Sequence, residues 1–175
     1  MNAANKLTLL RVVLIPVYLV LWHMDFPGKL YAALAVFAIA SLTDLLDGYI
    51  ARHCNQITDF GKFMDPLADK VLVLTVMACF CSAGRFPDWA LAVVIAREFA
   101  VSGLRLVAVD NGRVIAAGWS GKVKTASTMV CLGLMHLWDV PYSLDWVCII
   151  IITATTLYSG IEYFVLNLDV LNWQK

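Results

Sequence analysis

The chain has 175 residues, 61% of them hydrophobic and 15% charged, with 13 basic and 13 acidic side chains and no formal net charge. Soluble domains average about 45–50% apolar residues, so this composition excludes an ordinary water-soluble globule. The balanced charge gives no reason to expect a nucleic-acid partner. Six apolar runs of near-spanning length, at roughly 7–22, 29–46, 66–83, 87–108, 122–138 and 144–166, predict an all-α integral membrane bundle. Its six transmembrane helices, with a short N-terminal amphipathic segment ahead of them, form a single membrane domain over 1–175.

The first run carries Arg11 and Pro16, and no small-residue cleavage site follows it, so it reads as a helix and not as a signal peptide. Asn5, Thr8 and Arg11 sit at i, i+3 and i+6 near its start. Such residues either cap the helix and snorkel, or meet a phosphate or lipid headgroup at the interface.

The second run ends in Asp44-Leu-Leu-Asp47-Gly48-Tyr-Ile-Ala51-Arg52, and eight residues later comes Gly61-Lys-Phe-Met-Asp65-Pro-Leu-Ala-Asp69. Asp44 and Asp47 are i, i+3, while Asp65 and Asp69 are i, i+4, so each pair shares one helix face. One Asp in the middle of a membrane helix costs roughly 2.5–3.5 kcal/mol on insertion scales, and four together add mutual repulsion. Helix capping needs one Asp per helix, not two on a face. Two divalent cations would cancel the four charges, carboxylates being preferred ligands of Mg²⁺ and Mn²⁺. A metal pair suits in-line displacement at phosphorus.

The pattern Asp-x2-Asp-Gly-x2-Ala-Arg-x8-Gly-x3-Asp-x3-Asp, which spans 26 residues, resembles the signature of the CDP-alcohol phosphotransferases. The resemblance implies two metal ions, Mg²⁺ or Mn²⁺. Asp44, Asp47 and Asp65 would surround one ion and Asp44, Asp65 and Asp69 the other, with Asp69 also taking the proton of the attacking hydroxyl. It further implies a CDP-lipid site. Gly48 would admit the cytidine closely, Ala51 would keep that surface low, and Arg52 would bind the diphosphate. Thr58 and the signature glycine Gly61 join this site, as do Asn5 and Thr8 at the interface.

Farther along, Pro66 suits the first turn of a helix or kinks a longer one, and Lys70 either snorkels or pairs with a carboxylate. Arg97 and Glu98 lie near the centre of the fourth run, where ionisable residues are functional candidates. Adjacent residues point about 100° apart on a helix, so Glu98 is expected to brace a basic residue of another helix. Arg105, Arg113, Lys122 and Lys124 form a basic patch beside the aspartates. If metals hold the diphosphate, the extra basic residues imply a second anion, the phosphate of a small phosphorylated alcohol. The alternative is ordinary positive charge at a cytoplasmic interface.

Three strings resemble one branch of the family, the bacterial phosphatidylglycerophosphate synthases. They are Asn5-Lys-Leu-Thr-Leu-Leu-Arg11 followed by Ile15-Pro16, the stretch from Arg97 to Arg105, and Gly121-Lys122-Val-Lys124-Thr125. Ala4 stands where that branch often has proline. The resemblance implies transfer of a phosphatidyl group from CDP-diacylglycerol to sn-glycerol 3-phosphate, giving phosphatidylglycerophosphate and CMP, by a homodimer in membrane lipid. Charge alone leaves other acceptors open: phosphatidylglycerol, inositol phosphate or serine. A divalent-cation transporter is the alternative from another class, although transport does not require Gly48, Ala51, Arg52 and Gly61.

Lys6, Arg11, Arg52, Lys62, Arg105, Arg113, Lys122, Lys124 and Lys175 fall at one set of helix ends, against Lys29 and Arg85 at the other. This bias predicts that both termini and the active site lie on the cytoplasmic side, and the resemblance to the bacterial synthases implies a multi-pass protein of the bacterial inner membrane. Cys54, Cys79, Cys81, Cys131 and Cys148 show no metal-ligand spacing and read as buried thiols. His23, His136, Trp22, Trp138, Trp146 and Trp173 lie near helix ends, as in an aromatic belt.

Overall fold

A computed structural model describes residues 3–53, 59–116, 118–137 and 142–170, with the side chains of 3–5, 44–53 and 59–63 outside that description. Within it are α1 (Ala3–His23), α2 (Lys29–His53), α3 (Asp59–Ser82), α4 (Asp88–Asp110), α5 (Trp119–Met135) and α6 (Tyr142–Leu166). A 3₁₀ turn, Leu168–Val170, follows α6, and no strand occurs among the described residues. The amphipathic lead-in expected before the first helix is continuous with α1 from Ala3 onward. The α2 helix runs seven residues past the expected end, through the first half of the aspartate motif. The α3 helix begins seven residues before the expected start, so Pro66 lies inside it and not in its first turn. Hydropathy marks where a helix is apolar, and polar turns at either end extend beyond that limit.

Local chemistry sets two of the helix ends. Gly84 and Gly112 adopt φ of 71° and 72°, the left-handed region where a Cβ is disfavoured. Arg85 N–H then reaches back to Phe80 O at 3.0 Å and Arg113 N–H to Ala108 O at 2.8 Å, closing Schellman caps on α3 and α4. Each cap delivers an arginine just beyond its helix. Arg85 pairs through both Nε and Nη2 with Asp145 of α6, at 2.8 Å each, and Arg113 pairs with Asp169 of the 3₁₀ turn.

The helices alternate in direction. Thr8 meets Asp65, Lys70 meets Ser102, and Arg105 meets Tyr163, so the starts of α1 and α3 share one end with the finishes of α4 and α6. The opposite end gathers Trp22, Phe80, His136 and the Arg85–Asp145 pair. An even number of antiparallel helices brings the first and last helix ends to one face. The main packing partners are α1 with α2 and α3, and α6 with α4 and α5.

His136 departs from the aromatic-belt expectation. It is fully buried among Tyr18, Trp22, Phe37 and Phe80. The carbonyl of Leu132 can only accept, so His136 Nδ1–H donates to it at 2.7 Å, and in the neutral ring Nε2 accepts from the Tyr18 hydroxyl at 2.9 Å. Both polar ring atoms are satisfied inside an apolar core. Trp138 and Trp173 lie outside the described residues, as does Cys54; Cys79, Cys131 and Cys148 are buried free thiols.

Large apolar side chains point outward on several helices, among them Leu42, Phe99, Leu106, Ile150 and Ile161. Among the described residues two stretches, Lys6–His23 and Tyr142–Leu166, are long and apolar enough to cross a membrane. Such a surface suits lipid, not water.

Asp145 is almost wholly buried, so removing its partner leaves a charge unmatched in the bundle. Arg85→Ala is expected to destabilise the fold by about 3 kcal/mol, read as a lower unfolding midpoint in detergent. The double variant with Asp145→Ala should cost less than the two single losses combined.

Candidate active site

The chemistry-bearing residues converge at the end where α1, α3 and α5 begin. On α3, Asp65 and Asp69 lie one turn apart, each half-buried. Thr8 of α1 is 1% exposed and donates to Asp65 Oδ1 at 2.5 Å. Arg11, one turn farther along α1, is fully buried. The face of α1 read as an interfacial one is therefore turned into the bundle, and Arg11 does not snorkel.

Beside Asp69 opens a cavity of about 210 Å³ between α3, α4 and α5. Four basic side chains line it, Lys70, Arg97, Arg105 and Lys124, against two carboxylates, Asp69 and Glu98. Glu98 Oε1 accepts from Lys124 Nζ at 2.5 Å and from Arg97 Nη1 at 3.0 Å. It thus braces a basic residue of another helix, as its place in the fourth run suggests, and its own neighbour as well. Lys70 donates to Ser102 Oγ, which in turn donates to Glu98 O at 2.6 Å, so among the described residues its hydrogen bond goes to a hydroxyl.

Arg97 depends on two small residues for room. Its Nη2 donates to Ser159 Oγ of α6 at 3.1 Å, and its stem passes beside Gly160, where an added Cβ would come within 3.1 Å of Arg97 Cγ. A Cβ on Gly121 would sit 4.0 Å from Arg97 Nη2, in ordinary contact. Arg105 enters from the last turns of α4 and donates through Nε to the Tyr163 hydroxyl at 3.0 Å.

Of the expected basic patch, Arg105 and Lys124 line the cavity. Arg113 is committed to Asp169, and the exposed Lys122 lies 5.7 Å from the Trp119 ring centroid; neither is among the lining residues. The cavity adds Lys70 and Arg97 in their place. Their signal in the sequence is that both are ionisable residues within apolar runs, but which cavity they line depends on packing.

Asp44, Asp47, Gly48, Ala51 and Arg52 belong to α2, whose backbone is helical through His53, and Gly61 belongs to α3; their side chains lie outside the described set. The Asn5 side chain and all of Thr58 are outside it too. Among the described residues no group of three or more His, Cys, Asp or Glu is arranged to hold a metal.

The paired aspartates of α3 thus stand beside a basic cavity in a helical bundle with an apolar surface. The family model for CDP-alcohol phosphatidyltransferase matches residues 1–158, and the chain belongs to that family. Among its relatives is the CDP-diacylglycerol–glycerol-3-phosphate 3-phosphatidyltransferase of Bacillus subtilis, 38% identical over 97% of both chains. The protein of the same name from Escherichia coli K12 is 36% identical, covering 93% of this chain and 92% of its own length. A probable phosphatidylglycerophosphate synthase of Mycobacterium tuberculosis H37Rv is 37% identical over 93% of this chain and 79% of its own.

The slot beside Gly160 yields a stability test. Arg97 is held by Glu98 and Ser159 and cannot yield freely, so Gly160→Val is expected to cost about 1–3 kcal/mol by overpacking. Gly133→Ala on α5 meets nothing within 4 Å and gains helix propensity. Unfolding midpoints in detergent should therefore fall for the first variant and hold or rise for the second.

Proposed function

We propose that this protein transfers the phosphatidyl group of CDP-diacylglycerol to sn-glycerol 3-phosphate, releasing CMP and forming phosphatidylglycerophosphate. The observation that carries the reading is the cationic cavity beside Asp69, in a chain matched over nearly its whole length by relatives bearing that name. At about 210 Å³ the cavity is smaller than the roughly 300–1,000 Å³ of drug-sized sites. It suits a small polar acceptor, and its excess of cations suits a phosphate. The same excess would repel cations, which speaks against a transport role.

The family is generally metal-dependent, and the donors present fit a hard divalent ion. Asp65 and Asp69 offer carboxylate oxygens one turn apart, and the Thr8 donation occupies one oxygen of Asp65, leaving the other for coordination. In this reading Asp44, Asp47, Asp65 and Asp69 hold two ions, Mg²⁺ or Mn²⁺. When bound, they supply positive charge for the diphosphate and for the departing nucleotide. Thr8 acts here by orienting Asp65, as outer-shell hydrogen bonds do for metal ligands. Asn5, Gly48, Ala51, Arg52, Thr58 and Gly61 form the CDP-lipid site, with Arg52 on the diphosphate.

The acceptor phosphate rests against Arg105 and Lys124, the two members of the expected patch that line the cavity. The acceptor's primary hydroxyl meets Asp69, which takes the proton as the oxygen attacks the phosphorus bonded to the diacylglycerol oxygen. The bond from that phosphorus to the CMP oxygen breaks, and Arg52 receives the charge that CMP carries away. Proton removal by a placed carboxylate contributes about 10²–10⁴-fold; holding the reactants in line contributes more.

We further infer six membrane spans in one domain over 1–175, both chain ends cytoplasmic, in the inner membrane of a bacterium, and a homodimer. The alternating helices and the basic bias of one end support the topology.

Two measurements test this reading. CMP release from CDP-diacylglycerol in detergent should be much faster with sn-glycerol 3-phosphate than with phosphatidylglycerol, inositol phosphate or serine. Lys124→Ala should then raise the KM for glycerol phosphate by roughly 10–100-fold, the worth of one charge-assisted hydrogen bond, with a smaller effect on the lipid donor. Metal titration probes Thr8. Thr8→Val should raise the Mg²⁺ concentration for half-maximal activity by about 10-fold or more, Thr8→Ser should stay near wild type, and a chelator should stop turnover in all three.

A further inference from the structure

Arg105 stands near the end of α4 at the mouth of the cavity, and its side chain is exposed. A long exposed arginine samples many rotamers, and ordering it on each binding event weakens whatever it holds. Here it is ordered beforehand. Tyr163 of α6 accepts from Arg105 Nε at 3.0 Å, and the guanidinium carbon lies 5.3 Å from the centre of the tyrosine ring.

Tyr163 is itself fixed. It is 7% exposed and packs with Val101, Leu104, Ala108 and Val170. The turn after α6 closes behind it: Asn167 Nδ2 donates to Tyr163 O at 2.7 Å, and Arg113 ties Asp169 to the end of α4. The phenol therefore cannot follow the guanidinium, and the guanidinium must come to the phenol.

The nature of the tether matters as much as its position. Lys124 is held by Glu98, whose negative charge offsets part of its pull on an anion. Arg105 is held by a hydroxyl, which takes one N–H and brings no opposing charge of its own. Among the described residues neither Nη of Arg105 has a hydrogen-bond partner. With Nε engaged, these two groups form a planar edge that matches two oxygens of a phosphate.

We propose that Tyr163 is a positioning residue that holds Arg105 by Nε so that both Nη groups face the phosphate of the water-soluble acceptor. The inference rests on the acceptor reading above and adds to it a residue with no contact of its own to the substrate. It also gives the turn after α6 a task, since that turn buttresses the ring.

The test uses the full chain in detergent micelles. Tyr163→Phe keeps the ring and its packing and removes only the acceptor oxygen. It should raise the KM for sn-glycerol 3-phosphate by roughly two- to ten-fold, the worth of one hydrogen bond. The KM for CDP-diacylglycerol and kcat should hold. Placed on Arg105→Ala, the same change should add nothing, because the arginine it positions is gone. Equal shifts in both KM values, a fall in kcat alone, or full additivity with Arg105→Ala overturns the proposal. A second readout needs no turnover: millimolar inorganic phosphate should raise the unfolding midpoint of the wild type more than that of Tyr163→Phe or Arg105→Ala. A phosphate effect equal in all three also overturns it. If the wild type releases no CMP with sn-glycerol 3-phosphate, the acceptor reading fails separately, and a phosphate effect that depends on Tyr163 still carries the positioning role.

Discussion

Charge held inside a helical bundle is the constraint on which the rest of this structure depends. Glu98 lies between Arg97 and Lys124, and none of the three side chains is more than 14% exposed. A lone ion at that depth carries a desolvation cost that its neighbours must offset. One carboxylate facing two cations leaves the group net positive, and Lys70 and Arg105 add to the excess. An anion is the natural complement of such a cavity. The glycine at position 160 follows from the same constraint, because the buried arginine needs the space that a side chain would fill.

The two ends of the bundle solve opposite problems. At one end, ionisable side chains surround an open cavity and are tethered by hydroxyls and by one another. At the other end, Tyr18, Trp22, Phe37, Phe80 and His136 form a packed aromatic core, with every polar ring atom of the histidine paired. The Arg85–Asp145 pair adds a second fixed point there. A rigid far end lets the near end hold several like charges close together, since helices that share a packed core cannot splay apart to relieve repulsion. Catalytic positioning of this kind is gained from packing remote from the chemistry.

Membership in the transferase family gives these features a common purpose. The reaction proposed for the chain brings together a lipid-linked diphosphate and a soluble phosphate, two anions that repel each other. One set of positive charges must be assigned to each. The aspartate motif suits metals for the first, and the cavity lined by Arg105 and Lys124 suits the second. Asp69, which shares α3 with Asp65 and also lines the cavity, stands where the two meet.

The sequence by itself determined the helical class, the six long helices seen among the described residues and the family, because hydropathic runs and motif spacing are local properties read at 1.5 Å per residue. It located Asp65 and Asp69 on one face of α3, and it marked Arg97 and Glu98 as ionisable residues out of place. Helix ends were less legible: α2 and α3 continue through polar turns that hydropathy cannot distinguish from loop. Only the tertiary structure decided which charges meet. Arg113 and Lys122 resemble Arg105 and Lys124 in composition and neighbourhood, yet one pair faces the cavity while Arg113 is spent on Asp169 and Lys122 lies at Trp119. Thr8 and Asp65 are 57 residues apart, Arg105 and Tyr163 are 58, and Tyr18 and His136 are 118. A contact across such separations depends on the rotation of each helix about its axis. That rotation is set by the packing of all the helices together, and no local pattern in the chain encodes it.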